Sequence, residues 1–330
     1  MTATMRQVVQ RRTGVPAEVV EVDEVPVPVP GPGELLVSLD AAPVNPAELL
    51  MFEGSYGYGP TRPTLPRKAG IEGVGTVVGG ATDRVPEGTP VALRGAVGLW
   101  SDYVVIPADS AFVLPKDADR HQLSMGLVNP QAALMILEDH VALTEGDVVV
   151  QNAANSGFGR VLDAIAARRG LPLVNVVRSQ EAADSLVGTA TGAVVIDGPD
   201  LQEQVAERTG GRLASLAIDA VGGSATNRMA HCLNTGGVVS LYGLLSGEPA
   251  VIDLDVVIFN DVRLEGYWTP RSMGRRTREQ IQRVFDEAFE LLSSGAFHVP
   301  VEATYGLSDV AAALRHAGRG GRAGKVLLTR

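Results

Sequence analysis

The chain of 330 residues has a single cysteine, Cys232. An intrachain disulfide is therefore excluded, and so is a structural zinc site, which needs several thiolates. The five histidines, His121, His140, His231, His298 and His316, show no ligand-like spacing. His231 and Cys232 are adjacent, and adjacent helix residues do not face each other, so this pair reads as structural and no metal is expected. No run is long and apolar enough to span a bilayer. The opening residues, Met-Thr-Ala-Thr-Met-Arg-Gln, lack the apolar segment of a secretion signal, and the expectation is a soluble cytoplasmic protein. Positive charge is also scarce. Lys and Arg number 28 against 38 Asp and Glu, a net charge of −10, which argues against nucleic acid or an anionic membrane as partner. If such a chain binds a polyanionic cofactor it needs local cations, and Arg178 and Lys325 are the candidates.

Glycine and proline are plentiful, at 38 and 20, so tight turns are many. The length allows two domains. Up to about residue 115 the pattern is β-rich. Short strands are expected at Val19–Val22, Leu35–Leu39, Gly73–Val78, Val91–Leu93 and Tyr103–Ile106, separated by Gly/Pro turns, which suggests a compact barrel-like domain. Asn45-Pro46 opens a short helix over Ala47–Glu53. From about Leu123 helices and strands alternate. Strands are expected at Val148–Gln151, Leu173–Val177, Ala193–Ile196, Leu216–Asp219 and Val238–Tyr242, with one more at Val262–Gly266. This alternation is that of a doubly wound parallel sheet. An amphipathic helix follows at Arg278–Ser293, then a short helix at Val310–Ala317. Residues 318–324 read as a flexible basic loop. A last strand, Lys325–Thr329, is expected to return to the first domain.

Residues 147–160 carry the strongest functional signal. The apolar run Val148 to Val150 ends in Gln151-Asn152-Ala-Ala-Asn155-Ser156-Gly157-Phe158-Gly159, and a helical pattern opens behind it. Strand, tight turn and helix leave backbone N–H groups at a helix N-terminus to hold a phosphate. The glycine pattern is not a strict dinucleotide fingerprint, because small residues replace two of its three glycines. The next strand ends at Val177 and is followed at once by Arg178. A carboxylate at that point favours NAD, whereas an Arg accommodates the 2′-phosphate of NADP. NADPH is the expected cofactor.

Three segments carry a resemblance. The first is Asn45-Pro46-Ala-Glu-Leu-Leu-Met-Phe-Glu-Gly54-Ser-Tyr56-Gly57. The second is the turn at 150–159 with Asn175-Val-Val-Arg178. The third is Leu264-Glu-Gly266-Tyr267-Trp268. In this order the chain resembles the medium-chain dehydrogenase/reductase superfamily, and within it the mitochondrial-type 2-enoyl thioester reductases. The resemblance implies a GroES-like β-barrel catalytic domain (1–122 and 268–330) and a Rossmann cofactor domain (123–267). It implies a catalytic Tyr56, with Trp268 covering the cleft. It implies cofactor contacts from Asn45, Asn129, Asn155, Ser156, Gly157, Phe158, Gly159, Arg178, Tyr242, Gly243, Tyr267, Trp268 and Lys325. Tyr58 is a rival to Tyr56, since a small shift in alignment exchanges them. Zinc-dependent relatives need a Cys near position 45 and a Cys-rich lobe, and both are absent. A homodimer is implied, paired along a sheet edge near Val251–Phe259.

The chain departs from the family at Glu48, Leu50 and Ala132, and the stretch from Gly57 to Lys68 is longer than usual. These changes bear on the substrate rather than on the cofactor. Reducing an unsaturated thioester requires hydride at Cβ, a proton at Cα and a donor to the thioester oxygen. A phenol of ordinary pKa is protonated at neutral pH, which suits Tyr56 to the acid role. Arg67–Lys68, Arg62 and Arg271 with Arg275–Arg276 are candidate contacts for coenzyme A phosphates or an acidic carrier protein. Asp219 reads as structural. Two other functions stay open: a zinc-free quinone or enone reductase of the same superfamily, and a non-catalytic NADPH-binding sensor.

Overall fold

The strand Glu34–Pro43 is the spine of the first unit. Leu35, Val37 and Leu39 recur at every second position and are buried, as the two-residue period of a strand demands. It pairs antiparallel with Val74–Gly79, Tyr103–Pro107 and Lys325–Thr329. Pro90–Leu93 and Ala111–Val113 extend the sheet on one side and Val301–Gly306 on the other, making seven strands. Gly75 is required here, because a Cβ would lie 2.3 Å from the Ser38 carbonyl oxygen. A second sheet joins Val20–Pro26, Thr4–Gln10 and Arg67–Lys68. The helix Val310–Ala317 buries Val310, Ala313, Leu314 and Ala317, an i, i+3, i+4, i+7 stripe. That stripe packs with Leu39, Phe52, Trp100 and Val326 in one core. The computed structural model describes residues 3–57, 64–93 and 98–330.

The second unit is an all-parallel sheet of six strands. Their order is Ala193–Ile196, Leu173–Val177, Val149–Gln151, Ala214–Asp219, Leu233–Leu241 and Arg263–Gly266. Val149, Val150, Val174 and Val176 are all buried, because helices cover both faces of such a sheet. The strand order reverses between Val149–Gln151 and Ala214–Asp219, the switch point at whose carboxyl ends ligands bind in this architecture.

The chain divides into Met1–Val128, Leu292–Gly295 and Val299–Arg330 on the one hand, and Asn129–Leu291 with Ala296–His298 on the other. The expected return to the first domain at 268 therefore comes later, near Leu292. The cause is the helix Arg278–Ser293, whose Val284, Ala288 and Leu291 join the core of the second unit beside Leu134 and Ile165. Val251–Phe259, expected at a sheet edge, instead holds the short helix Leu254–Phe259, and the edge strand is Arg263–Gly266. Among the described residues no helix is long and apolar enough to cross a membrane.

Candidate functional site

The turn after Val149–Gln151 is held from beneath by buried amides. Gln151 Nε2 donates to the Gly159 carbonyl at 2.8 Å and to Asn175 Oδ1 at 2.7 Å, and Asn175 Nδ2 donates to Asp163 at 2.6 Å. Asn152 Nδ2 donates to Asp219 at 2.6 Å, while Asn152 Oδ1 accepts from Ala220 N at 2.7 Å. Asp219 also accepts from Thr226 and from the backbone of Val221 and Gly222, so its structural reading is met by four donors. The side chains of Gln151, Asn152, Asp163, Asn175 and Asp219 are buried and bonded to one another or to backbone, with Gln151 Oε1 left without a partner, and this network fixes the turn.

On that base the helix Gly157–Arg168 begins. Ser156 is its N-cap, and its Oγ accepts from Gly159 N at 3.1 Å. The N–H groups of Gly157 and Phe158 stand in the same first turn, where the helix dipole favours an anion. A Cβ on Gly159 would lie 2.4 Å from the Ala154 carbonyl oxygen, so only glycine allows helix and strand end to approach this closely. The backbone therefore fits a dinucleotide pyrophosphate.

The other expected residues of this unit also follow strand carboxyl ends. Arg178 is exposed directly after Leu173–Val177. Tyr242 and Gly243 follow Leu233–Leu241, and the Tyr242 ring stacks on Phe158 with centroids 4.3 Å apart. A Cβ on Gly243 would meet the Ala220 carbonyl oxygen at 2.3 Å. Asn129 is half-buried near the start of the helix Val128–Asp139, and Asn155 is half-buried in the turn. Tyr267 is only 8% exposed, joins the core and has its phenol pushed up to about 12 by burial. Trp268 caps the short helix Thr269–Gly274, with the Arg271 guanidinium 5.9 Å from its ring centroid. Arg276, expected among phosphate contacts, is ion-paired to Asp139 at 2.7 Å.

In the first unit, Asn45 caps the helix Pro46–Glu53, with Pro46 at its first position. The helix ends at Gly54 in the left-handed conformation, and Ser55 N and Tyr56 N both donate back to the Leu50 carbonyl. Tyr56 is thus fixed, half-buried, one turn from the helix end. Tyr58 and Arg62 lie outside the described residues.

Beside that helix is a buried charged cluster that sequence reasoning missed. Glu48 Oε2 accepts from Asn45 N at 2.8 Å and Oε1 from Ile71 N at 3.2 Å. Glu72 Oε1 accepts from Leu127 N and Val128 N, and its Oε2 from Asn45 Nδ2 at 3.1 Å. Lys325 Nζ donates to Asn45 Oδ1 at 2.6 Å. Burial pushes Glu48 up to about 8 and Glu72 upward as well, while burial lowers Lys325 against the pull of both carboxylates. A carboxylate between glycines in Gly70-Ile71-Glu72-Gly73 was the available signal.

Residues 31–116 match the family model described as alcohol dehydrogenase GroES-like domain, and residues 191–328 the one described as zinc-binding dehydrogenase. The chain is 30% identical over 322 residues to a mitochondrial enoyl-[acyl-carrier-protein] reductase of Xenopus tropicalis, spanning 94% of this chain and 91% of the relative. The human enzyme of the same name is 29% identical over 323 residues, spanning 94% and 85%. Among solved structures, Escherichia coli quinone oxidoreductase complexed with NADPH has a TM-score of 0.82 at 25% identity, spanning 98% and 100%.

Zinc, which the second description names, does not fit the residues present. Cys232 is fully buried within the second unit, its thiol pushed up to about 12 by burial. Asn45, Glu48 and Glu72 spend their oxygens on N–H donors and Lys325. Among the described residues His231, Asp253 and Asp255 are spaced like metal ligands, but they are not buried and Asp253 is already bonded to His231 and Asn227.

Proposed function

The chain belongs to the medium-chain dehydrogenase/reductase superfamily, and on that premise we propose that it reduces the C=C bond of 2-enoyl thioesters with NADPH. The observation that carries this reading is the 30% identity to an enoyl-[acyl-carrier-protein] reductase across 94% of the chain. When bound, NADPH supplies the hydride for Cβ and leaves as NADP⁺. The first turn of Gly157–Arg168 holds the pyrophosphate through the N–H groups of Gly157 and Phe158. Arg178 is the cation for the 2′-phosphate, and Asn155, Tyr242 and Gly243 complete the cofactor wall. Trp268 shields the reacting carbons from water. Tyr56 donates to the thioester oxygen as charge grows there, or delivers its phenolic proton to Cα. The π electrons of C=C end in the new Cα–H bond and the hydride pair in the new Cβ–H bond.

A second reading, reduction of quinones or simple enones, is favoured by the likeness to Escherichia coli quinone oxidoreductase. We also take the chain to be a homodimer. Leu254, Ile258 and Phe259 are 70%, 65% and 79% exposed beside the edge strand Arg263–Gly266, an apolar surface a monomer rarely leaves uncovered.

The deciding experiment is oxidation of NADPH with crotonyl-CoA, a longer 2-enoyl-CoA and a 1,4-quinone in parallel, with NADH as control. Turnover on the enoyl-CoAs with NADPH preferred supports the proposal. Turnover on the quinone alone moves the chain to the second reading. Binding of NADPH without turnover on any acceptor leaves a non-catalytic sensor.

A further inference from the structure

Arg160 projects from the side of the helix Gly157–Arg168 and has no carboxylate partner among the described residues. Its Nη1 donates to Thr189 Oγ1 at 3.1 Å and its Nη2 to the Ser185 carbonyl at 2.9 Å, while its Nε–H is buried without an acceptor. A guanidinium has five N–H donors, so most remain unused. Burial lowers its pKa, and no neighbouring charge is there to oppose that. An unpaired, partly desolvated cation is unfavourable unless an anion joins it.

A cavity of about 60 Å³ adjoins it, lined by Arg160, Asp163, Thr189, Thr191, Phe297 and His298 among others. A water needs roughly 10–15 Å³ on such a measure, so there is room for a group of several heavy atoms. Asp163 does not fill the role of counter-ion. Its oxygens accept from Thr191 N, Thr191 Oγ1 and Gly192 N in the loop at 191–192 and from Asn175 Nδ2 on the strand Leu173–Val177, so both are already engaged. Arg160, Asp163 and Ala164 are an i, i+3, i+4 set on the flank of the helix, whereas the turn residues that fit a dinucleotide stand at its end.

We propose that this cavity is a second anion site, separate from the cofactor turn, that takes a small tetrahedral or planar oxyanion such as inorganic phosphate or a short carboxylate. Arg160 supplies the charge and its unused N–H donors. Ala154, a residue of the cofactor turn, also lines the cavity.

The test is calorimetric titration of inorganic phosphate into the full chain, alone and with saturating NADP⁺, at constant ionic strength. The variants are Arg160→Gln, which removes the charge, and Ala164→Leu, which fills the cavity and keeps Arg160. Circular dichroism checks that both fold. Phosphate binding that persists with NADP⁺ and weakens about tenfold or more in either folded variant supports the site. Binding that is unchanged in both variants, is lost when NADP⁺ is present, or is absent for both phosphate and acetate at millimolar concentration overturns it. If NADP⁺ itself does not bind, the titration without it still decides the site, and only the cofactor reading fails. Repeating the titration with acetate separates phosphate from carboxylate as the occupant.

Discussion

Lys325 Nζ donates to Asn45 Oδ1 at 2.6 Å, tying the final strand to the helix cap that precedes Tyr56. Asn45 passes the link on to Glu72 at 3.1 Å. One ammonium therefore serves two buried carboxylates, Glu48 and Glu72. Lys325→Met leaves Asn45 Oδ1 without its donor and Glu72 without the ammonium that faces it, whereas Glu48 holds its proton up to about pH 8, and a loss of this kind costs about 1–3 kcal/mol. The expected result is a lower urea midpoint with an unchanged slope. The KM for NADPH should move less than stability does. A large rise in that KM at unaltered stability would return Lys325 to the cofactor.

The same cluster makes stability depend on pH. Glu48 ionises near 4.5 in an unfolded chain and at about 8 in the folded one. Its folded-state pKa is raised, so the native state holds the extra proton between these values. The associated stability is fully present below pH 4.5 and is lost as pH rises through about 8. Glu48→Gln should be less stable overall, because an amide N–H₂ then faces a backbone donor. Its stability should also decline less between those two pH values than that of the wild type. Urea unfolding across that range measures both effects.

Arg178 is exposed and stands directly after its strand, so its replacement should leave the fold untouched. Arg178→Ala is expected to raise the KM for NADPH by about tenfold to a hundredfold, the effect of losing a charge-assisted phosphate contact. The KM for NADH should hardly change. Equal effects on both cofactors would remove Arg178 from the 2′-phosphate.

The nucleotide unit was legible because its signals are local. Val149–Gln151, the glycines at 157 and 159 and the helix behind them are contiguous, and so are Leu173–Val177 and Arg178. The charged cluster was not, because its members come from Asn45, Glu48, Glu72 and Lys325, and Asn45 and Lys325 are 280 positions apart. No period or spacing joins such residues before the strands pair. The extent of each unit is hard to read from sequence for a related reason. The amphipathic stripe of Arg278–Ser293 reveals that the helix is covered, but not which core covers it. Leu254–Phe259 forms a helix beside the edge rather than a strand of it, a distinction that a short apolar run does not carry.

Gly159→Ala tests the turn itself. The added methyl would lie 2.4 Å from the Ala154 carbonyl oxygen, which is backbone and cannot swing aside. Gly159 N and O are both engaged, with Ser156 Oγ and Gln151 Nε2. The helix start has to shift, and overpacking of this kind costs about 1–3 kcal/mol. The expected outcome is a lower thermal midpoint and weaker NADPH binding by fluorescence titration. A variant that binds NADPH as the wild type does would show that the turn is not the phosphate site.

Tyr56→Phe separates the two enzymatic readings. The backbone that positions residue 56 uses its N–H to the Leu50 carbonyl, which phenylalanine keeps, so the ring should stay where it is. Only the hydroxyl is lost. An enoyl thioester reductase that draws its proton or its oxygen donor from that hydroxyl should lose about 10²-fold or more in kcat, at a nearly constant KM for NADPH. A quinone takes hydride to oxygen-stabilised products that solvent protonates readily, so quinone turnover should fall only slightly. Measured side by side on one preparation, a selective loss on crotonyl-CoA assigns Tyr56 to the chemistry. Equal rates on both substrates would leave it a packing residue at the end of its helix.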